Sequence, residues 1–233
     1  MDTMHSSISF TERLLSLPVE LRHEIFSYAL PHSQLLRPRR ESHQESIVWY
    51  RKSLSPLLVS RALLSSCLDY IYSTSMFTIH VTYDAIKFHQ PWLNSRGLLP
   101  SNDFVFPECF SSANRKRIRK YSITIKQPDD YTGMIKYNCQ GPGLIVRMKE
   151  QVRKLVVVMN ESEILDVVVI NNERVWDGKR TGDGEVQRIV RASQVALEPF
   201  LKLEHRVSQV KVIGAVDIDF AKQLRQEMAK AKT

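Results

Sequence analysis

The sequence predicts an α+β fold, with an all-helical N-terminal region over residues 1–75 and, over 76–233, a mixed β-sheet flanked by two C-terminal helices. Three observations predict it. Residues 14–31 and 56–75 set apolar side chains at helical spacing and are bounded by prolines or small polar residues. At Met76 the period changes to two, with Phe77, Ile79, Val81 and Tyr83 alternating against polar neighbours. The last third then mixes β-branched runs with helix-patterned ones.

The first helix is expected from Pro18, whose missing N–H suits a first helical position, with Glu20 in the turn where the dipole favours an anion. Leu21, Ile25 and Tyr28 or Ala29 form its apolar side, Arg22, His23 and Glu24 face away, and Pro31 ends it. Residues 32–55 read as a polar, basic loop with a short helical piece at Ile47–Tyr50. A second helix follows Pro56 and carries Leu57, Leu58, Ala62, Leu63, Leu68, Ile71 and Tyr72. After the strand at 76–83, residues 84–114 read as irregular, punctuated by Pro91, Gly97, Pro100 and Pro107. Tyr121–Ile125 is a second alternating strand, and Gln140-Gly141-Pro142-Gly143 a turn. Leu155–Met159 and Ile164–Ile170 read as strands covered on both faces, and the four residues between them suit a hairpin. Asp183 caps a helix from Glu185 to about Leu203, which Pro199 kinks or ends. Val207–Ile213 is a strand, Gly214 a turn, and Asp217 or Asp219 caps a last helix carrying Phe220, Leu224 and Met228.

The composition excludes several classes. The chain is 43% hydrophobic and 25% charged, as expected of a globular protein and not of a disordered one. No apolar run approaches the ~20 residues of a membrane span, and the N-terminus lacks the basic start and apolar stretch of a secretory signal. Three scattered cysteines, Cys67, Cys109 and Cys139, point to a reducing compartment, cytoplasmic or nuclear. The 33 basic against 25 acidic residues give +8, which tolerates an acidic partner without demanding one.

Catalysis leaves no signature. There is no phosphate-binding glycine loop, and no close Cys or His pair of the kind metal sites use, so no catalytic residue, metal or cofactor is expected. The carboxylate pairs Asp129-Asp130, Glu161/Glu163 and Asp217/Asp219 read as turn, loop and cap. The basic group Arg115, Lys116, Arg117, Arg119 and Lys120 would suit phosphate contacts or nuclear import. A solvated approach to the following strand is the favoured reading, because no aromatic residues are interleaved.

The segment Leu15-x-Leu17-Pro18-x-Glu20-Leu21-x-x-Glu24-Ile25-Phe26 resembles the opening of an F-box. Leu57-Leu58-Val59-Ser60-Arg61 is similar to the later leucine and Val-Cys-Arg portion of that motif. The stretch Leu68–Phe77 and the tail around Leu197–Phe200 and Val207–Gly214 are similar to fungal F-box-like proteins. The resemblance implies a helical module that docks on the Skp1-type adaptor of a cullin ubiquitin ligase, the rest of the chain presenting an unknown protein substrate. By that resemblance Leu17, Pro18, Leu21, Ile25, Phe26 and Val59 would contact the adaptor. One short helix cannot bury Leu17, Leu21, Ile25 and Phe26 on one narrow face, so some of them should point to a second surface. The expected function is therefore a non-catalytic adaptor. Two alternatives stand beside it: a nuclear nucleic-acid-associated protein, and a scaffold that kept the F-box-like helices but, with Ser60 and Leu64 departing from the motif, lost the adaptor.

Overall fold

The computed structural model describes residues 9–36, 46–50, 52, 55, 59–94, 97–98, 102–127, 141–174 and 183–230. The expectations that fall on Pro56, Leu57, Leu58, Pro100, Asp129-Asp130, Cys139 and Gln140 lie outside the described residues. Residue contacts divide the chain into two units, one of 1–75 with 92–99 and one of 76–91 with 100–233. It has the α+β architecture that the patterning predicts.

The first unit opens on a helix absent from the sequence reading, α1 (Phe10–Ser16). Its signal is Ser9-x-x-Glu12, a reciprocal capping box. The Glu12 N–H donates to Ser9 Oγ at 3.2 Å and the Ser9 N–H to Glu12 Oε2 at 2.8 Å. α2 (Val19–Ala29) follows, with Pro18 as its N-cap residue, not the first helical one. α3 (Arg61–Thr74) begins later than Pro56, because Ser60 caps it by accepting from the Leu63 N–H at 3.2 Å. The segment expected to be a loop with a helical piece holds β1 (His32–Leu36) and β2 (Ser46–Tyr50), paired antiparallel. The run Ile47, Val48, Trp49 and Tyr50 is too short to declare a period, and β-branched and aromatic residues favour strand. β5 (Trp92–Asn94) pairs parallel to β2, and β6 (Gly97–Leu98) closes this small sheet.

The second unit is built on a six-stranded sheet in the order β10-β9-β8-β3-β4-β7. Four strands, β3 (Met76–Val81), β8 (Lys120–Gln127), β9 (Leu165–Arg174) and β10 (Val207–Gly214), run parallel and lie in chain order. β4 (Ile86–Gln90) and β7 (Asn102–Val105) extend one edge antiparallel. The 84–114 segment is therefore not irregular: it also holds the single-turn helices α4 (Phe106–Cys109) and α5 (Ser112–Arg115).

The expected hairpin at 155–170 is a helix followed by a strand. Leu155–Met159 ends α6 (Gly141–Met159), and Gly141 itself opens that helix instead of forming a turn. Leu144, Met148, Val152, Leu155 and Met159 are all buried, a helical stripe that begins eleven residues before the valine run and carries it. An apolar run by itself does not distinguish helix from strand. α7 (Asp183–Leu197) gives way at Pro199 to a 3₁₀ turn (Glu198–Lys202), and α8 (Ile218–Ala229) is capped by Asp217. Among the described residues α6 thus joins the two expected C-terminal helices, α7 and α8, in this unit.

Strand register aligns the core. Phe77 lies opposite Tyr121 and Tyr121 opposite Val168, while Ile79, Ile123 and Ile170 form the next row; all six are at most 1% exposed. Burying each such side chain contributes about 1.5–3 kcal/mol. The alternate positions, Thr78 and His80 on β3, Ser122 and Thr124 on β8, Val167 and Val169 on β9, form the opposite and more polar face. At the C-terminal end of the parallel strands the buried Asn172 amide donates to Ser193 Oγ at 2.9 Å and to the Ala215 carbonyl at 2.8 Å, and its oxygen accepts from Gln127 Nε2 at 3.1 Å. Gly214 beside it adopts φ +95°, and a Cβ there would fall 2.2 Å from the Asn172 carbonyl oxygen, so only glycine fits.

Candidate functional site

Within the first unit, α2 is turned contrary to its apolar pattern. Phe26 and, just past the helix, Leu30 enter a core made with Leu14, Leu63, Cys67 and Tyr70; Leu15, Leu17 and Ile71 pack against it. Cys67 is buried there, and desolvation raises its thiol above the ordinary value, leaving it a packing residue. The polar Arg22 and His23, expected to face away, lie against α3. Arg22 Nη1 donates to Ser66 Oγ at 3.3 Å, and the His23 ring meets Tyr70 edge-on with centroids 5.1 Å apart. Leu21 (49% exposed), Ile25 (42%) and Tyr28 (74%) consequently line the outward side, at the i, i+4, i+7 spacing of a single stripe.

Of the six residues singled out for adaptor contact, the structure leaves Pro18, Leu21, Ile25 and Val59 exposed. Phe26 is a correction. At 2% exposure it belongs to the core, where its ring meets Tyr70 at 5.7 Å, and it has no free surface to offer a partner. Leu17 is half-buried against the same cluster. Sequence reasoning missed Tyr28, Val19 and Phe10 as exposed apolar groups. Their helical positions were readable, but which side α3 would cover was not.

The basic group does not stay together. Arg115 turns inward and binds Glu161 in a two-point pair, Nη2 to Oε1 at 2.9 Å and Nε to Oε2 at 3.1 Å, and donates through Nη1 to the carbonyls of Pro107 (3.0 Å) and Phe110 (2.7 Å). Ser112 Oγ adds a bond to Glu161 at 3.0 Å. The hydrogen bonds from Arg115, foremost, hold the Glu161 carboxyl below its ordinary value. Arg115 is thus a staple closing the 106–118 loop onto the end of α6, not part of an open patch. Lys116 is exposed, while Arg117, Arg119 and Lys120 are half-buried on the approach to β8.

A third group comes together on the polar face of the sheet, at its β3-β4-β7 side. His80 (β3) and His89 (β4) stack with centroids 4.4 Å apart and planes 20° from parallel. His89 Nδ1 lies 2.8 Å from Asp103 Oδ1 (β7). One ligand atom from each of the three residues falls within 4.8 Å of the others. Burial, with the charges of Lys126 and His89, lowers His80 to about 4, so its ring is neutral near pH 7. Desolvation opposes ionisation of Asp103, but the hydrogen bond and charge of His89 prevail and hold it below its ordinary value. No ligand spacing pointed to this set. The only trace in the sequence is that His80 and His89 flank a strand reversal.

No protein-family model, curated protein or solved structure was found to match the chain. No helix among the described residues is long and apolar enough to cross a membrane.

Proposed function

We propose that the chain is a non-catalytic adaptor whose N-terminal helical unit docks, F-box-like, on a Skp1-type adaptor while its second unit holds a protein substrate. One observation carries the reading: α2 lays the half-buried Arg22 and His23 against α3 and leaves Leu21, Ile25 and Tyr28 exposed to solvent. A helix that served only its own core would be rotated the other way, since exposing apolar surface forgoes about 25 cal/mol per Å². Exposed apolar side chains around a docking helix supply the desolvated centre on which interface energy concentrates. Val59, just before α3, is 58% exposed as well.

The test is co-expression of the tagged chain with a Skp1-type adaptor, followed by co-purification and mass determination. A stoichiometric complex is expected, lost in the Leu21→Asp/Ile25→Asp variant while its circular dichroism stays that of the parent. A chain that ignores the adaptor, or binding indifferent to the double substitution, overturns the assignment.

A further inference from the structure

We propose that His80, His89 and Asp103 form a binding site for a divalent transition-metal ion, zinc(II) being the probe, with at least one coordination position left open. The argument begins with register. On the antiparallel side of the sheet Thr78 lies opposite His89 and His89 opposite Asp103, with His80 diagonal to His89 two residues along β3. Three adjacent strands therefore direct two imidazoles and a carboxylate toward one spot on one face.

The distances fit an ion. Zinc holds His nitrogen and carboxylate oxygen at about 2.0–2.2 Å, which puts neighbouring ligand atoms about 3.3 Å apart. The His89–Asp103 pair stands at 2.8 Å, and the three ligand atoms lie within 4.8 Å of one another. Small rotations of exposed or half-buried side chains close that span. Two imidazoles and one carboxylate suit zinc and the other divalent ions of the later first transition row, and three protein ligands leave room for water. Ligation by His89 through Nδ1 would replace its 2.8 Å contact with Asp103, the ring proton then residing on Nε2.

Two features mark the spot as more than a surface ion pair. No described residue hydrogen-bonds the ring nitrogens of His80, which is stacked beside a second histidine instead. Thr78 is nine-tenths buried on the same face, directly opposite His89, and its Oγ1 meets no hydrogen-bond partner among the described residues. Buried hydroxyls are rarely left so. A water on the open position of an ion bound by His89 would be such a partner. Lys87 and Lys126 face the same group from β4 and β8 and act against a bare cation, and with only one anionic ligand the affinity should be moderate.

The experiment uses the full chain, stripped with chelator and titrated with zinc chloride by calorimetry, with cobalt(II) as a spectroscopic substitute. One zinc per chain is expected, with a visible cobalt absorption band. Asp103→Asn and His89→Gln should each weaken binding by about tenfold or more and abolish the band, while His32→Gln in the other unit should change neither. The Asp103 side chain is 45% exposed, so its variant is expected to keep the parental circular dichroism and thermal midpoint, and it decides the matter should His89→Gln misfold. Absent zinc uptake, or stoichiometric uptake that survives Asp103→Asn, overturns the site. So does loss in His32→Gln with retention in Asp103→Asn. Because the readout is metal stoichiometry in the chain alone, it is independent of adaptor binding.

Discussion

Helices α2 and α8 are nearly equal in length, 11 and 12 residues, and both repeat apolar residues at helical spacing, yet they face opposite ways. α8 turns Ala221, Leu224 and Met228 inward, and Asp217 Oδ1 closes its start by accepting from the N–H groups of Asp219 and Phe220, both at 3.0 Å. α2 has no side-chain cap and turns its Leu21–Ile25–Tyr28 stripe outward. Periodicity announces that a helix owns an apolar face. Which face the chain itself covers is decided by the neighbouring element, here by the Ser66 and Tyr70 positions that α3 offers to Arg22 and His23.

Substitutions break or sharpen that contrast. The largest effect is expected at the inward positions, where Phe26→Ala and Leu224→Ala should each cost about 2–5 kcal/mol in denaturant unfolding, since neither site can close over the lost volume. Next comes the staple of the second unit: Glu161→Gln should cost about 1 kcal/mol near neutral pH, discounted for its partial exposure. The sign of its pH dependence follows from a carboxyl held below its unfolded value. The contribution is whole above about pH 4.5 and fades as pH falls below that, so the parent and Glu161→Gln unfolding curves should converge in acid. Removing the α8 cap with Asp217→Ala should cost about 1 kcal/mol, with no equivalent loss available at Pro18. The smallest effect belongs to the outward stripe, where Leu21→Ala and Ile25→Ala should stay within about 0.5 kcal/mol of the parent. Should Leu21→Ala cost as much as Leu224→Ala, the stripe is covered in solution and the docking proposal loses its support.

Much of the architecture was legible. The alternation of β3 and β8, the C-terminal end of α3, the cap of α8, the break at Pro199 and the strand at 207–213 all follow local rules that operate within about ten residues. α6 was misread because its valine run looks the same in either geometry, and only the longer stripe back to Leu144 separates them. β1 was missed because pairing with β2, not the propensity of His32–Leu36, makes it a strand, and β2 because its apolar run is too short to show a period. The His80–His89–Asp103 group was invisible for a related reason. Nine and fourteen residues separate its members in the chain, and only two successive antiparallel pairings collapse that spacing. The α2 surface was half legible. Leu21 and Ile25 were named on motif grounds together with Phe26, and the assembled core separates the two kinds.

The buried amide of Asn172 has a consequence for positional information. Val167-Val168-Val169-Ile170 is so uniform that sliding β9 by one residue would exchange one aliphatic side chain for another on each face, at little hydrophobic cost. The fold needs an index mark that such a run cannot supply. Asn172 is that mark: in one alignment alone does its amide meet Gln127, Ser193 and the Ala215 carbonyl together. A one-residue slip carries it to the opposite face and strands those partners, so a single polar residue removes the degeneracy that the valines create.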